Sequence, residues 1–468
     1  MVRILKVEEA RQSVLLRPVL DDAIAPESAL HKLNQVTGRE VRTAVEGVSY
    51  IVQDVRQQGD QAVRFYSREL DEQELQTLEV SSEQIEAAYG RIDEALRLAL
   101  EHSAKRIRNF HEQQLVAEQG WMANEGDSRL GQLVRPLQRI GIYVPGGQAL
   151  YPSSVLMAAI PAQVAGVEEI VMISPPSRAR LASPSPSLAG KTPSPNVGRG
   201  GMGVRAEIAD VILAAAKIAG VQRVFQIGGA QGVAALAYGT ESVPKVDKIL
   251  GPGGLFTVLA MRQVFGATGI AGLPGPTETL LIADDSADPV LVAADLLAQA
   301  EHDVLASAVL LTPSRQLADE VAKEVMIQLA VLPRRKIIEG SLQRGSAIVL
   351  TADLDEAMVL ANEYAPEHLC LLTEDPWPLV DQVQHAGGIF VGETACEALG
   401  DYIVGPSHIM PTSRTARFNS PVNVRDFQKV ISVFGVGPQT LRDTGSDAIR
   451  IAEAEGLHAH AEAIRKRL

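Results

Sequence analysis

The sequence predicts an α/β protein of more than one domain, built on mostly parallel sheets, and three observations lead there. Between residues 140 and 311 short β-branched runs alternate with Ala-rich stretches of helical period, the pattern of consecutive βαβ units. Glycine-rich segments stand at the ends of several runs: VPGGQ (Gly146, Gly147), IGGAQG (Gly228, Gly229, Gly232), GPGG (Gly251, Gly253, Gly254) and LPGPTE (Gly275). At 468 residues with 46% hydrophobic side chains, the chain outgrows one ordinary core and has the apolar material to fill two.

From residue 40 to about 119, apolar residues recur at three- and four-residue steps (Val45, Val48, Ile51, Val52, Val55) among Arg, Asp and Gln, which predicts a helical N-terminal layer. Strands are predicted at 140–144, 169–173, 223–227, 248–250, 279–282 and 308–311, with helices at 153–165, 209–220, 233–238, 256–265 and 289–300. The last helix starts on Asp288-Pro289, an acidic cap followed by Pro in the first turn. In such sheets ligands gather at the carboxyl ends of the strands, where the glycines stand. None of them makes the GxGxxG fingerprint, and a Gly after a strand is ordinarily a turn. Segment 177–206 is rich in Pro, Ser and Gly, with five basic residues and no acid. It reads as a mobile, solvated insertion, because it cannot bury enough apolar surface to fold alone.

With 43 basic and 57 acidic side chains the net charge is -14, which speaks against nonspecific nucleic-acid binding and suits a small-molecule enzyme. Cys370 and Cys396 are too few for a disulfide framework and lack the CxxC spacing of a thiolate zinc site. The first thirty residues break every apolar run with a charge, unlike a signal peptide or membrane anchor. A cytoplasmic protein is the expectation.

Six of the 9 histidines (His302, His368, His385, His408, His458, His460) fall beyond residue 298, most of them near carboxylates or a glutamine. Imidazole serves as neutral ligand, acid or base near neutral pH, so function is sought in this clustering. Gln299 and His302 are three apart on one helical face, a ligand spacing, though a terminal His also simply complements a helix dipole. Glu367 and His368 follow the Ala365-Pro366 step, predicted to be extended, and pair an acid with an imidazole as proton transfer requires. Asp401 and His408 frame a loop containing Gly405-Pro406, whereas Glu455 and His460 sit in an Ala/Glu helix whose ordinary role is a solvated face.

Taken in order, the blocks RIGIYVPGGQALYPSSVLMAAIPAQVAGVEEIVMISPP, KIAGVQRVFQIGGAQGVAALAYGTESVPKVDKILGPG, AADLLAQAEHD, YAPEHL, EALGDYIVGPSHIMPTSRTARF and IAEAEGLHAHAEAIR resemble histidinol dehydrogenase, from about residue 45 to 468. The resemblance implies two Rossmann-like parallel-sheet domains in an aldehyde-dehydrogenase-like arrangement, with the helical N-terminal layer and a small helical C-terminal segment. The implied boundaries are 1–125 for the N-terminal helical region of the first domain, 126–260 for the NAD-binding domain carrying the insertion, 261–400 for the second α/β domain and 401–468 for a segment exchanged in a homodimer. It also implies a zinc- and NAD-dependent oxidation of L-histidinol to L-histidine through the aldehyde, the end of histidine biosynthesis.

On this resemblance Gln299, His302, Asp401 and His460 hold one zinc per subunit, with His460 and Glu455 acting in trans. His368 is the base for the alcohol proton, Glu367 activates water on the aldehyde, and Thr277 and His408 contact substrate alongside Glu455, which neutralises its ammonium. The metal ligands touch substrate too. Tyr143, Gln231 and Gly254 take the cofactor positions. Three departures from the family pattern stand out. Gly254 replaces the usual Asn after GPG, a loss of about 0.5 to 1.5 kcal/mol or up to roughly tenfold in NAD affinity. Thr277 replaces Ser in GPSE, adding a methyl that narrows the pocket. Segment 177–206 replaces a short turn. Three other readings stay open: a paralogue oxidising another small alcohol, a zinc hydrolase using Glu367 on water, and a binding protein without catalysis.

Overall fold

The computed structural model describes residues 2–16, 25–117, 120–146, 150–176 and 207–468; Gly147 and the segment 177–206 lie outside the described residues. The strands among them are β1 (Ile4–Lys6), β2 (Glu79–Val80), β3 (Trp121–Glu125), β4 (Ser128–Pro136), β5 (Arg139–Tyr143), β6 (Glu169–Ile173), β7 (Arg223–Phe225), β8 (Lys248–Leu250), β9 (Gly269–Ile270), β10 (Glu278–Ala283), β11 (Ser307–Thr312), β12 (Ala347–Leu350), β13 (His368–Leu372), β14 (Gly388–Val391) and β15 (Gln428–Gly435). They form a six-stranded sheet in the order β2-β7-β6-β5-β8-β9, a second in the order β1-β12-β11-β10-β13-β14, and a three-stranded sheet β15-β4-β3. The second sheet is parallel throughout. In the first only the β2 pairing is antiparallel. The predicted fold class, two Rossmann-like parallel-sheet domains, is the observed one.

The central strands of both large sheets are buried on both faces and read as near-continuous apolar runs. The pleat sends alternate residues to opposite cores. In the second sheet Leu281, Leu310 and Ile348 enter one core while Leu280, Val309 and Val349 enter the other. In the first, Ile140, Ile142 and Met172 oppose Val171, Ile173 and Phe225. Helices close these cores, among them Pro152–Ala165, Gly229–Tyr238, Leu255–Val264 and Pro289–Ala300, the last capped by the Asp288 side chain on the Val290 amide.

Several boundaries differ from those the resemblance implies. The helical layer expected from residue 40 is four helices, Ala44–Gln58, Asp60–Asp71, Ser82–Arg91 and Glu94–Ala117, with β2 between the second and third. Residues 4–6 join the second sheet beside β12, because Val2, Ala10 and Val14 find their apolar partners there. The first sheet ends on β9, so the change of lobe falls between Ile270 and Glu278 and not at residue 260. Strand β4, inside the expected NAD-binding domain, pairs instead with β15 from the C-terminal segment.

That segment ends in helices Pro438–Ala454 and His458–Arg465, which pack on one another. Asp127, in the β3-β4 turn, accepts the Gln439 and Thr440 amides at 2.7 and 3.0 Å and so caps the first of them. Phe434 is 80% exposed here, and Trp121, Val430, Val436 and Ile451 are exposed with it.

Candidate active site

The proton-transfer candidates meet at the amino ends of the second sheet's strands. Thr277 and Glu278 lead into β10, Glu367 and His368 lead into β13, and the strand register sets Thr279 beside His368. The predicted extended step before Pro366 is not observed. Ala365 is left-handed, φ 51 and ψ 64, because it caps the helix Leu354–Tyr364 by donating its N–H to the Ala361 carbonyl. The first sheet's glycine-rich turns stand at carboxyl strand ends, whereas this half of the site stands at amino ends.

Glu367 Oε2 accepts the Thr277 hydroxyl at 2.6 Å and the Glu278 amide at 3.0 Å. With its hydrogen committed, Thr277 Oγ1 accepts the Gln299 amide nitrogen at 3.0 Å. This chain orients the Gln299 side chain, leaving Gln299 Oε1 buried without a hydrogen-bond partner. His368 Nδ1 lies 3.2 Å from the Glu278 carbonyl. A carbonyl only accepts, so Nδ1 carries the hydrogen and Nε2 holds the basic lone pair. Nε2 is buried and unpartnered. Burial raises the Glu367 carboxyl to about 7, with the neighbouring His368 and the Thr277 hydrogen bond opposing the rise.

His302 sits just past the end of its helix, which stops at Ala300, in a turn where its N–H meets the Gln299 carbonyl at 3.3 Å. Its Nε2 is 4.0 Å from Asp401 Oδ2. Asp401 belongs to the helix Glu397–Tyr402, and its backbone carbonyl accepts His408 Nδ1 at 2.7 Å. His408 Nε2 in turn meets the Ser154 hydroxyl at 3.1 Å. Burial lowers the pKa of both His302 and His408, with Asp401 opposing it, which keeps neutral imidazoles available as ligands. Because Ser154 opens the helix that follows β5, the site lies between the carboxyl edge of the first sheet and the amino edge of the second. An orphaned amide oxygen, an imidazole nitrogen and a carboxylate suit a borderline cation such as Zn(II). Among the described residues no group of three His, Cys, Asp or Glu side chains is arranged to hold a metal.

Sequence reasoning missed Glu397. It is 3% exposed and its Oε1 lies 3.6 Å from His368 Nδ1. Burial, then the nearby Asp401, pushes its carboxyl well up. The signal was present in EALGDY, since Glu397 and Asp401 are four apart and share a helical face. Close approach of this helix depends on Gly400, where a Cβ would stand 2.5 Å from the Phe390 ring. Phe390 itself packs on His368, ring centroids 5.7 Å apart.

The cofactor candidates lie at the carboxyl edge of the first sheet. Tyr143 ends β5, buried, its phenol pKa raised by desolvation. Gly251, φ +121, passes so near that any Cβ would strike the Tyr143 carbonyl. Gln231 is in the first turn of the helix Gly229–Tyr238 and donates to Asp71 at 2.8 Å. Gly254 caps the helix Leu255–Val264, with extended backbone and no atom within 4 Å of a built Cβ. Two helix amino termini beside one tyrosine suit an anionic, phosphate-bearing ligand.

Glu455 and His460 do not join the cluster within the chain. Glu455 ends the helix Pro438–Ala454, His460 lies in His458–Arg465, and both are exposed.

The sequence profile of histidinol dehydrogenase matches residues 35–190 and 201–468. The chain is 48% identical to histidinol dehydrogenase of Deinococcus radiodurans over 469 residues, 100% of each chain. It is 46% identical to that of Halalkalibacterium halodurans, covering 90% of this chain and 93% of the relative. The crystal structure of histidinol dehydrogenase from Elizabethkingia anophelis superposes with a TM-score of 0.84 at 30% identity, over 100% of this chain and 98% of that one. Near-complete coverage embraces both lobes and the C-terminal segment alike, and on that ground this chain belongs to the histidinol dehydrogenase family of oxidoreductases.

Proposed function

We propose that the protein oxidises L-histidinol to L-histidine in two NAD-dependent steps through L-histidinaldehyde, at a site holding one zinc ion. The observation that supports this best is a buried, unpartnered His368 Nε2, on a ring whose Nδ1 lies 3.8 Å from Glu367 Oε2, together with an orphaned Gln299 Oε1. When bound, Zn(II) supplies a grip on the substrate's imidazole and amine, and NAD supplies the hydride acceptor. Gln299 Oε1, His302 and Asp401 of one chain would hold the metal with His460 of the partner subunit.

His368 Nε2 takes the alcohol proton as hydride leaves carbon. Glu367, with its carboxyl raised toward neutrality, removes a proton from the water that attacks the aldehyde. Thr277 keeps Glu367 and Gln299 in register, and His408 positions substrate against Ser154. Glu455 of the partner subunit would neutralise the substrate ammonium. The exposed apolar residues of the C-terminal segment support a homodimer that buries them. Among the described residues no helix is long and apolar enough to cross a membrane, in keeping with a cytoplasmic biosynthetic enzyme.

His368→Asn is expected to lower turnover about 100-fold or more, while zinc content and NAD binding stay as in the unmodified protein. No turnover in the unmodified protein, with ligand binding the same in His368→Asn, would favour a binding protein. Product formation without NAD would instead favour a zinc hydrolase working through Glu367.

A further inference from the structure

We propose that Thr412 is a positioning residue for Thr277, its hydroxyl holding the linker that delivers Thr277 to Glu367 and Gln299. This rests on the reading of Glu367 as the group that activates water and of Gln299 as a metal ligand. The linker between the lobes runs through Pro274-Gly275-Pro276 into β10. A proline has no backbone N–H, so Gly275 offers the one amide donor of the three. Thr412 Oγ1 accepts it at 2.6 Å, two residues before the Thr277 hydroxyl that donates to Glu367 and accepts from Gln299.

Both sides of the contact are shaped for it. A Cβ on Gly275 would stand 2.9 Å from Ser413 Oγ and 3.2 Å from Thr412 Oγ1, so the close approach needs a glycine there. Opposite it, Ser413 and Arg414 are both left-handed, φ 54 and 66, a conformation costly for residues that carry a side chain. Such strain persists where the surroundings impose it, and it gathers at functional sites. Here the turn aims the Ser413 N–H at Glu278 Oε1, 3.0 Å away, and sets the buried Thr412 on Gly275. One turn thus grips the chain on either side of Thr277.

The same segment reaches back to the first lobe. Ser407 donates to the Met157 carbonyl at 3.2 Å, and His408 Nε2 meets the Ser154 hydroxyl, both on the helix Pro152–Ala165. Residues 407–414 therefore form a strap between the lobes, and Thr412 fastens it to the second. Were that fastening lost, the linker would slacken and Thr277 would leave the geometry in which one hydroxyl serves two partners. Glu367 would then be misplaced against the water it activates, a loss of orientation that lowers rate.

Thr412→Val keeps shape and removes the acceptor. At saturating zinc it is expected to lower kcat about tenfold, while the KM for histidinol and the Kd for NAD stay within about twofold. Thr412→Ser, which keeps the hydroxyl, is expected to restore kcat to within about twofold of the unmodified protein. Should Thr412→Val not fold, Thr412→Ala removes the same acceptor without the bulk and is expected to show the same loss. The double variant with Thr277→Val separates positioning from support of the fold. If Thr412 acts through Thr277, the pair loses no more than about twofold in kcat beyond Thr277→Val alone. Losses that multiply would overturn the proposal. So would a Thr412→Val kcat equal to that of the unmodified protein, a loss carried by KM, or a Thr412→Ser as impaired as Thr412→Val. Thr277→Val on its own distinguishes the two readings. If it leaves kcat unchanged, the assignment of Glu367 and Gln299 fails and the proposal with it; if it lowers kcat and Thr412→Val does not, the failure is confined to Thr412.

Discussion

The Thr277 hydroxyl sits between two groups with different tasks, donating to Glu367 and accepting from Gln299. Thr277→Ser preserves both bonds and is expected to leave zinc affinity and kcat within about twofold. Thr277→Val strands the Gln299 amide, at about 1 to 3 kcal/mol, and is expected to weaken zinc binding about tenfold or more in a competition titration with a chelator. From the sequence Thr277 reads only as an added methyl; the hydrogen-bond chain that makes its oxygen matter joins residues 22 and 90 positions away, which no local pattern reports.

Glu367 is legible as a candidate acid, but its tuning is not, because desolvation is a property of the folded surroundings. Its carboxyl, ordinarily near 4.5, is raised to about 7. In metal-stripped protein the folded state therefore keeps a proton that the unfolded chain releases. The stability this contributes is full below about pH 4.5 and is lost as pH rises through about 7, on the order of 3 kcal/mol. Between about pH 5 and 8 the melting temperature of the stripped protein is expected to fall relative to that of stripped Glu367→Gln; parallel curves would contradict this. Gly254 gives a gain-of-function case. Its surroundings leave room for a side chain, so Gly254→Asn is expected to tighten NAD binding up to about tenfold, measured by fluorescence titration, with kcat unchanged.

At the scale of elements, the strands of the two sheet centres are legible because both faces are buried and the apolar runs are continuous. Strand β3 is exposed along its whole length and β15 along most of it, and the pairing of β15 with β4 joins Gln428 to Pro136, a separation in sequence that no local pattern reports. Strand β1 is three residues long and owes its place to β12, almost 350 residues away. The short helix Glu397–Tyr402 shows how much an element can depend on one absent side chain. Gly400→Ala sets a Cβ against Phe390, an overpacking cost of about 1 to 3 kcal/mol. The helix is expected to shift and carry Glu397 and Asp401 with it, lowering zinc content and kcat together. Metal analysis and kinetics on the same sample check this.

At the scale of the molecule, the site lies where two lobes meet, with the cofactor candidates at the carboxyl edge of one sheet and the proton-transfer groups at the amino edge of the other. The chain supplies Gln299, His302 and Asp401 there and leaves His460 exposed on a separate arm. If His460 completes the site in trans, subunits carrying His368→Asn and subunits carrying His460→Asn should rescue each other. Each mixed dimer holds one intact site of two, and half of randomly paired dimers are mixed, so activity is expected to recover to about one quarter. No recovery in demonstrably mixed dimers would mean that the arm serves its own chain.

The most direct measurement supplies zinc-loaded protein with limiting L-histidinol and excess NAD, counts NADH formed per histidinol consumed, and identifies the product. Two NADH with L-histidine as product is the expected result, because one site then performs both oxidations on a retained aldehyde. No NADH, with zinc and NAD shown to be bound, would contradict the histidinol assignment and point to another small alcohol as the substrate.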